Sequence, residues 1–427
     1  MQFSAAIRRF VTKISGFRPG HLSLENRNIF YFTADTVVQG VMMGGVFSFI
    51  SVFLVRLGAT KLQTSLLTSL PAIVMVLVSI PCGQIVQNQV NLVKYTNFIR
   101  IFHRGSVLLV ALLPFFTQRG LIEIILVIWS VKAIANSLLE SSWMAVVAEV
   151  IPPRRRAKVN GTRWALVSVV TAVSVAIFGY ILDRLPFPLS YQIVFFISFI
   201  GGSVGMLFWS QLRIPDNKPP ASQTGKSNRV KTRLRAFWTS IQEPAFLRFE
   251  LTVMVLRIAI NLPTALYTIY WIRHLNATDL WIGWQTTTGK LALIAGYFFW
   301  PRIVERKGHQ LPLLICTVGM GLYPVLTGFV PNQMWLPLVS IFQGFFMPGI
   351  NLAFFDTLLS VCPPDRRPTF IAVNTTFSSF IIFAAPLLGS FLADIIDLRS
   401  VFFVTGCIHI LAVLFFWKYK TAPETNA

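Results

Sequence analysis

Apolar residues occupy this chain in long uninterrupted runs separated by short polar turns, without the period-two alternation of a membrane barrel. About 20 apolar residues, rising 1.5 Å each, carry an α-helix across the hydrocarbon layer of a bilayer. A helix also satisfies its own backbone hydrogen bonds, which lipid cannot do. The runs predict twelve spans, at residues 29–55, 62–86, 95–116, 121–150, 160–182, 190–212, 246–273, 279–303, 311–330, 334–361, 369–393 and 399–419. Six precede residue 213 and six follow residue 245, so the expected fold class is an all-α polytopic membrane protein of two six-helix bundles.

The two halves repeat each other. Glu149-Val-Ile-Pro-Pro-Arg-Arg-Arg156 in the first half reappears as Ser360-Val-Cys-Pro-Pro-Asp-Arg-Arg367 in the second, each after a long apolar run. An internal repeat of this kind decides architecture before any local reading does. It makes the bundles pseudo-symmetric, and in a membrane chain it points to a solute site near the bilayer midplane where the halves meet. The expected organisation is a segment 1–27, a bundle 28–212, a linker 213–245, a bundle 246–419 and a tail 420–427. Phe3, Ile7, Phe10, Ile14 and Phe17 stand at helical spacing, with Arg8, Arg9 and Lys13 elsewhere on the helix. This describes an interfacial amphipathic helix, although an organelle transit peptide shares the composition, and no cleavable secretory signal is expected. The linker joins Pro215, Pro219 and Pro220 to a polar run and a basic stretch, Arg229 to Arg235.

Charge adds orientation. Arg8, Arg9, Lys13, Arg18, Arg27, Arg154, Arg155, Arg156, Lys158, the linker cluster, Arg302, Arg306, Lys307, Arg366, Arg367, Lys418 and Lys420 fall on one side of the predicted spans. Only Arg56, Lys61, Arg119, Arg184, Arg273 and Arg399 fall on the other. The positive-inside rule then places both termini and the linker in the cytoplasm, in a cell (inner or plasma) membrane. Basic loops beside anionic headgroups account for the net charge of +21 with no nucleic-acid partner. A mean hydropathy of +0.65 and 12% charged residues agree with a chain lying mostly in lipid. Cys82, Cys316, Cys362 and Cys407 lack paired spacing, so neither a metal site nor a disulfide framework is expected, and no cofactor.

Charges inside the spans are the informative residues, since each costs roughly 2.5–3.5 kcal/mol at a helix centre. They are Asp35, Arg100, Arg104, Lys132, Glu140, Arg257, Lys290 and Asp356. Lys132, Asn136 and Glu140 follow at i, i+4 and i+8 on the fourth span, and Arg257, Asn261, Thr264 and Thr268 form a similar stripe on the seventh. On the tenth, Gln343 and Asn351 flank Pro348-Gly349, where a kink or unwinding is expected; by the repeat offset they correspond to Lys132 and Glu140. Lys132, Asn136, Arg257, Asn261, Lys290, Gln343 and Asn351 are therefore the candidate substrate-binding residues. The mid-span cations favour an anionic or amphiphilic solute. Glu140 and Asp35 are the candidate proton-coupling carboxylates, Glu140 favoured because Arg100 or Arg104 can hold Asp35 ionised.

Six plus six helices, a basic central linker and the Glu149-x-x-Pro152-x-x-x-Arg156 turn resemble the major facilitator superfamily. Its cytoplasmic loop motif, Gly-x-x-x-Asp-x-x-Gly-Arg, is worn in the first half, where Gly83 remains but Gln87 and Val90 replace the acid and the second glycine. In the second half Pro301-Arg-Ile-Val-Glu305-Arg-Lys-Gly308 keeps acid and glycine. The resemblance implies that spans 1, 4, 7 and 10 line a central cavity. It also implies a cytoplasmic gate made by Glu149 with Arg156 and Glu305 with Arg306. The expected function is secondary active transport of a small, anionic or amphiphilic solute by alternating access, with proton symport as the coupling; partners are the solute and membrane lipids, and a monomer is expected. The fifth span keeps Gly179 but lacks the family's antiporter proline. A drug/proton efflux pump, a lipid flippase and a transporter-like assembly factor are the alternatives. No catalytic constellation is present, so an enzyme is not expected.

Overall fold

The computed structural model describes residues 23–117, 119–214, 242–362 and 367–419. The expected amphipathic helix of residues 2–17, most of the linker with Arg229 to Arg235, and the tail 420–427 lie outside them. Among the described residues the chain is helical, without strands, and twelve spans follow one another. In the first half they are α1 (Leu24–Arg56), α2 (Lys61–Gln87), α3 (Leu92–Phe116), α4 (Leu121–Val150), α5 (Pro153–Arg184) and α6 (Leu189–Trp209). The second half begins with α7 (Pro244–Asn261, resumed as Thr264–Ile269 and a π-helical turn Tyr270–His274). It continues with α8 (Asp279–Lys307), α9 (Gln310–Phe329), α10 (Leu336–Val361), α11 (Arg367–Ile395) and α12 (Leu398–Tyr419).

Local chemistry sets the helix starts. The Thr60 side chain accepts from the Gln63 amide while Gln63 reaches back to Thr60, a capping box that opens α2. Ser23 and Asn91 cap α1 and α3. Pro153 and Pro244 occupy first-turn positions, where no amide is needed. Gly308, with φ +72°, ends α8.

Among the described residues, ten helices are long and apolar enough to cross a bilayer on their own. The other two are α7, which breaks at Leu262–Pro263, and α8, whose first half carries Gln285, three threonines and Lys290. The break falls on α7 rather than on α10, where it was expected. Helix α10 runs on through Pro348, and Gly349 lets it press against Cys316 and Trp300. Pro263 supplies no amide to the ladder, and Thr264 Oγ1 donates to the carbonyl of Asn261 at 2.7 Å. In α1 a π-helical turn spans Met43–Phe47. Gly44 and Gly45 there approach α5 and α6 too closely for any Cβ, and Ser198 Oγ accepts the Val46 amide at 3.2 Å.

The repeat reappears as packing. Helices α1 and α6, α1 and α5, α2 and α4, α3 and α4, and α3 and α6 are neighbours in the first half. Their counterparts α7 and α12, α7 and α11, α8 and α10, α9 and α10, and α9 and α12 are neighbours in the second.

The halves meet along α5 with α8 and α2 with α11, at the end of the bundles opposite the described chain ends. There a single apolar core runs from one half into the other, through Phe49, Phe53, Tyr191, Leu266, Tyr270 and Phe402. Towards the termini the core divides. One part around Phe249, Trp300 and Phe416 belongs to the second half, and one around Phe32, Val146 and Trp209 to the first. The molecule is therefore closed at one end and parted at the other.

Candidate functional site

The parted end holds a cavity of about 560 Å³ inside the first bundle, between α1, α3, α4 and α5. Met42, Met43, Phe47, Trp143 and Met144 make its walls apolar, while Asp35, Arg100, Arg104, Asn136, Glu140 and Arg163 bring charge and hydrogen-bonding capacity to it. Asp35 is 1% exposed and bound in a two-pronged pair, Arg100 Nη1 to Oδ1 at 2.6 Å and Nη2 to Oδ2 at 2.9 Å. Gln39 adds a third donor at 3.1 Å, and the Arg100 guanidinium lies 4.2 Å from the centre of the Trp209 ring. Both carboxylate oxygens of Asp35 are thus engaged by side-chain donors. Glu140 differs: it lines the cavity, is exposed there and makes no ion pair among the described residues.

Asn136 lines the same cavity, one turn from Glu140. Lys132, a further turn along the stripe, does not reach it. Its Nζ sits 3.7 Å from the centre of the Trp129 ring and 4.2 Å from that of Phe47, so Phe47 stands between the ammonium and the cavity. Lys132 itself is not among the residues that line this cavity.

In the second half Arg257 is engaged by α11. It donates to the Asn374 carbonyl at 3.2 Å and to Asn374 Oδ1 at 3.3 Å, and Asn374 Nδ2 donates to Glu250 Oε2 at 2.7 Å. The network ties α7 to α11 and occupies the guanidinium, and Asn261 turns back onto the Arg257 carbonyl at 2.8 Å. Gln343 lines a smaller cavity of about 240 Å³ with Thr264, Tyr267, Tyr323 and His409. Lys290 is half-buried and Asn351 exposed, and neither lines either cavity. Among the described cavities, Asn136 and Glu140 line one and Gln343 another.

Glu149, Glu305 and Arg306 are exposed and make no ion pair among the described residues; the Arg156 side chain lies outside them, as does that of Asp356. The contacts that join the halves cluster at the opposite end instead. Arg56 Nε meets Asp279 Oδ1 at 2.9 Å, and Tyr191 donates to the same oxygen at 2.7 Å. Asp183 accepts the Asp279 amide at 2.8 Å, and Lys61 Nζ meets Asp394 at 2.7 Å. Ser65 pairs with Ser390 across α2 and α11.

Periodicity alone does not single out Arg163 or Glu250. Glu250 stands two turns before Arg257 on one helix face, a signal present in the sequence. Arg163 lies just inside the expected fifth span but reads there as the end of the basic turn after Glu149.

Among the described residues, twelve helical spans in two matching bundles, joined at one end and parted at the other, with a cavity within the first bundle, define a polytopic membrane protein of carrier architecture. The family model described as Major Facilitator Superfamily matches residues 36–270 and 249–427, and the chain belongs to that family. It is similar to the multidrug resistance protein MdtG of Dickeya zeae (strain Ech586), 30% identical over 156 residues, 35% of this chain and 37% of the relative. MdtG of Proteus mirabilis (strain HI4320) is 30% identical over 163 residues, 36% of this chain and 39% of the relative. Each match thus spans little more than a third of the relative's length. Among solved structures, the nucleoside transporter NupG has a TM-score of 0.71 at 12% identity, covering 93% of this chain and 100% of its own. A POT family transporter in complex with 5-aminolevulinic acid has a TM-score of 0.74 at 12% identity, covering 94% and 97%. At such identity the likeness is one of fold.

Proposed function

We propose that the chain is a secondary active carrier that moves a small amphiphilic solute with an anionic group across the inner membrane by alternating access, coupled to protons through Glu140. The observation that carries this reading is the divided core: one apolar body joins the halves at one end, while two separate bodies and a cavity lie at the other. Interfaces of this kind are bistable, and rocking would open the joined end and close the parted one. Glu149, Arg156, Glu305 and Arg306 would then be the groups free to pair. With the termini cytoplasmic, as the distribution of Lys and Arg implies, this conformation faces the cytoplasm. A single chain encloses the cavity, in keeping with a working monomer.

Proton coupling rests on Glu140 as the cavity carboxylate without an ion partner. Protonating it removes a negative charge from the solute path, so proton and anion favour each other's binding, the linkage expected of symport. Reconstituted vesicles loaded with laurate, with and without an imposed pH gradient, test this. The parent should respond to the gradient and Glu140→Gln should carry solute without responding. A parent indifferent to the gradient overturns proton coupling. Efflux of drugs is the second reading, favoured by the multidrug resistance proteins among the relatives and by the Met and Trp walls of the cavity. Preference for a cationic dye over laurate in the same vesicles would establish it instead.

A further inference from the structure

Among the described residues, two arginines of the first-bundle cavity make no ion pair. Arg104 is 3% exposed, and its Nε donates to the Gly202 carbonyl at 2.5 Å. Arg163 is 5% exposed; its Nη1 donates to Asn160 Oδ1 at 3.2 Å and its buried Nε has no acceptor. The guanidinium of Arg163 lies 4.7 Å from the centre of the Phe32 ring and 4.6 Å from that of Trp143. These rings exclude water and fix the fork but accept no hydrogen bond in its plane. Asp35 hydrogen-bonds with Arg100 and Gln39 and with neither of these arginines.

A guanidinium carries five N–H donors, and burying the charge is costly unless acceptors of opposite charge complete it. Both arginines line one cavity and lie within electrostatic reach of the Asp35–Arg100 pair. Counting Arg100, Arg104 and Arg163 against Asp35 and Glu140 leaves an excess of one positive charge among the lining groups.

We propose that Arg104 and Arg163 form the anion-binding site of this cavity, holding the oxyanion of a single-chain amphiphile, a carboxylate or a phosphate monoester, whose apolar body lies along Met42, Met43, Phe47 and Met144. This inference rests on the carrier reading and assigns its solute class and contact residues. The arginine fork matches an oxyanion in two-pronged fashion, whereas a cation would meet a lining with an excess of positive charge.

The test is calorimetric titration of the full chain in phosphatidylcholine nanodiscs, with empty nanodiscs subtracted. Laurate and lauryl phosphate should bind saturably; acetate, inorganic phosphate and dodecyltrimethylammonium should not. Arg104→Gln and Arg163→Gln should each weaken laurate binding at least tenfold, and Arg163→Lys should lie between parent and Gln. Binding within twofold of the parent in both Gln variants, or equal binding of the cationic amphiphile, overturns the proposal. Saturable binding of inorganic phosphate alone would assign the site to a free anion and overturn the amphiphile. A second measurement needs no arginine variant: 12-bromododecanoate should quench the parent's tryptophan fluorescence saturably, and Trp143→Phe with Trp164→Phe should remove most of that saturable quenching. Quenching unchanged in that double variant also overturns the proposal. Laurate flux that persists in vesicles bearing Arg104→Gln and Arg163→Gln sinks this site but leaves the carrier reading standing. Binding as expected with no flux in the parent does the reverse.

Discussion

Single residues in the spans divide by whether their charge is satisfied within the protein. Asp35 and Arg100 satisfy each other in a dry setting, so Asp35→Asn strands a buried guanidinium. About 3–5 kcal/mol of stability should be lost, read as a lower thermal midpoint in detergent. Replacing both by leucine should restore most of it, since a buried ion pair gives little net stability over apolar packing. Recovery no greater than with Asp35→Asn alone would show that the pair does more than neutralise itself. Arg257 belongs to the same class. Held by Asn374 with Glu250 behind, it is expected to lower the midpoint when changed to alanine and to leave laurate affinity within twofold. Glu140 is of the other class, and Glu140→Gln should leave the midpoint unchanged while abolishing the response to a pH gradient.

At the scale of helices, small residues decide where the halves touch. A Cβ on Gly179 of α5 would stand 2.9 Å from the Asp279 carbonyl oxygen, and one on Gly283 of α8 would stand 3.1 Å from that of Val175. Both neighbours are backbone atoms and cannot turn aside. Gly179→Leu should therefore wedge α5 from α8 and disfavour the conformation closed at this end. Thr287 Oγ1 donates to the Ala172 carbonyl at 3.0 Å, so cysteines placed at 172 and 287 in a background without native cysteines should cross-link readily. Adding Gly179→Leu should cut that yield several-fold. An undiminished yield would mean that the glycines are not what permits the contact.

For the whole molecule, the two ion pairs across the joined end differ in worth. The Arg56 and Asp279 side chains are 28% and 6% exposed, whereas those of Lys61 and Asp394 are 29% and 67%. A pair whose acid is mostly in water contributes about 0–1 kcal/mol, while hydrogen bonds to a largely buried charge contribute about 1.5–3 kcal/mol. Arg56→Ala should shift the population towards opening at this end by roughly ten-fold, and Lys61→Ala by less than about five-fold, measured as distances between spin labels on α1 and α8. Equal shifts would count against burial as the deciding variable. Topology is testable in intact cells by labelling with an impermeant thiol reagent. Cys407 is the exposed native cysteine among the described residues, so the background should carry Cys407→Ser. A cysteine at residue 225 should be protected from outside and one at Arg119 should react; the reverse pattern would invert the orientation.

The helical class and the repeat were legible in the sequence because both are written in long-range averages. Runs of 20 apolar residues survive any local error, and the repeated Pro-Pro-x-Arg-Arg turns need no geometry to be recognised. The 3.6-residue period also put Asn136 and Glu140 on one face, and both line the cavity. Periodicity gives a face but not what covers it. Phe47 came to stand before Lys132 through the π-helical turn of α1, and Asn374 reached Arg257 from a helix 117 residues away. The same limit hid Arg163, whose role rests on Phe32 and Trp143 closing over it. Which carboxylate is paired, which arginine lacks an acceptor and which end of the molecule is shut are relations between distant parts of the chain. Only the tertiary structure decided them, because desolvation and ion pairing depend on neighbours in space, whereas helix and membrane propensity depend on neighbours in sequence.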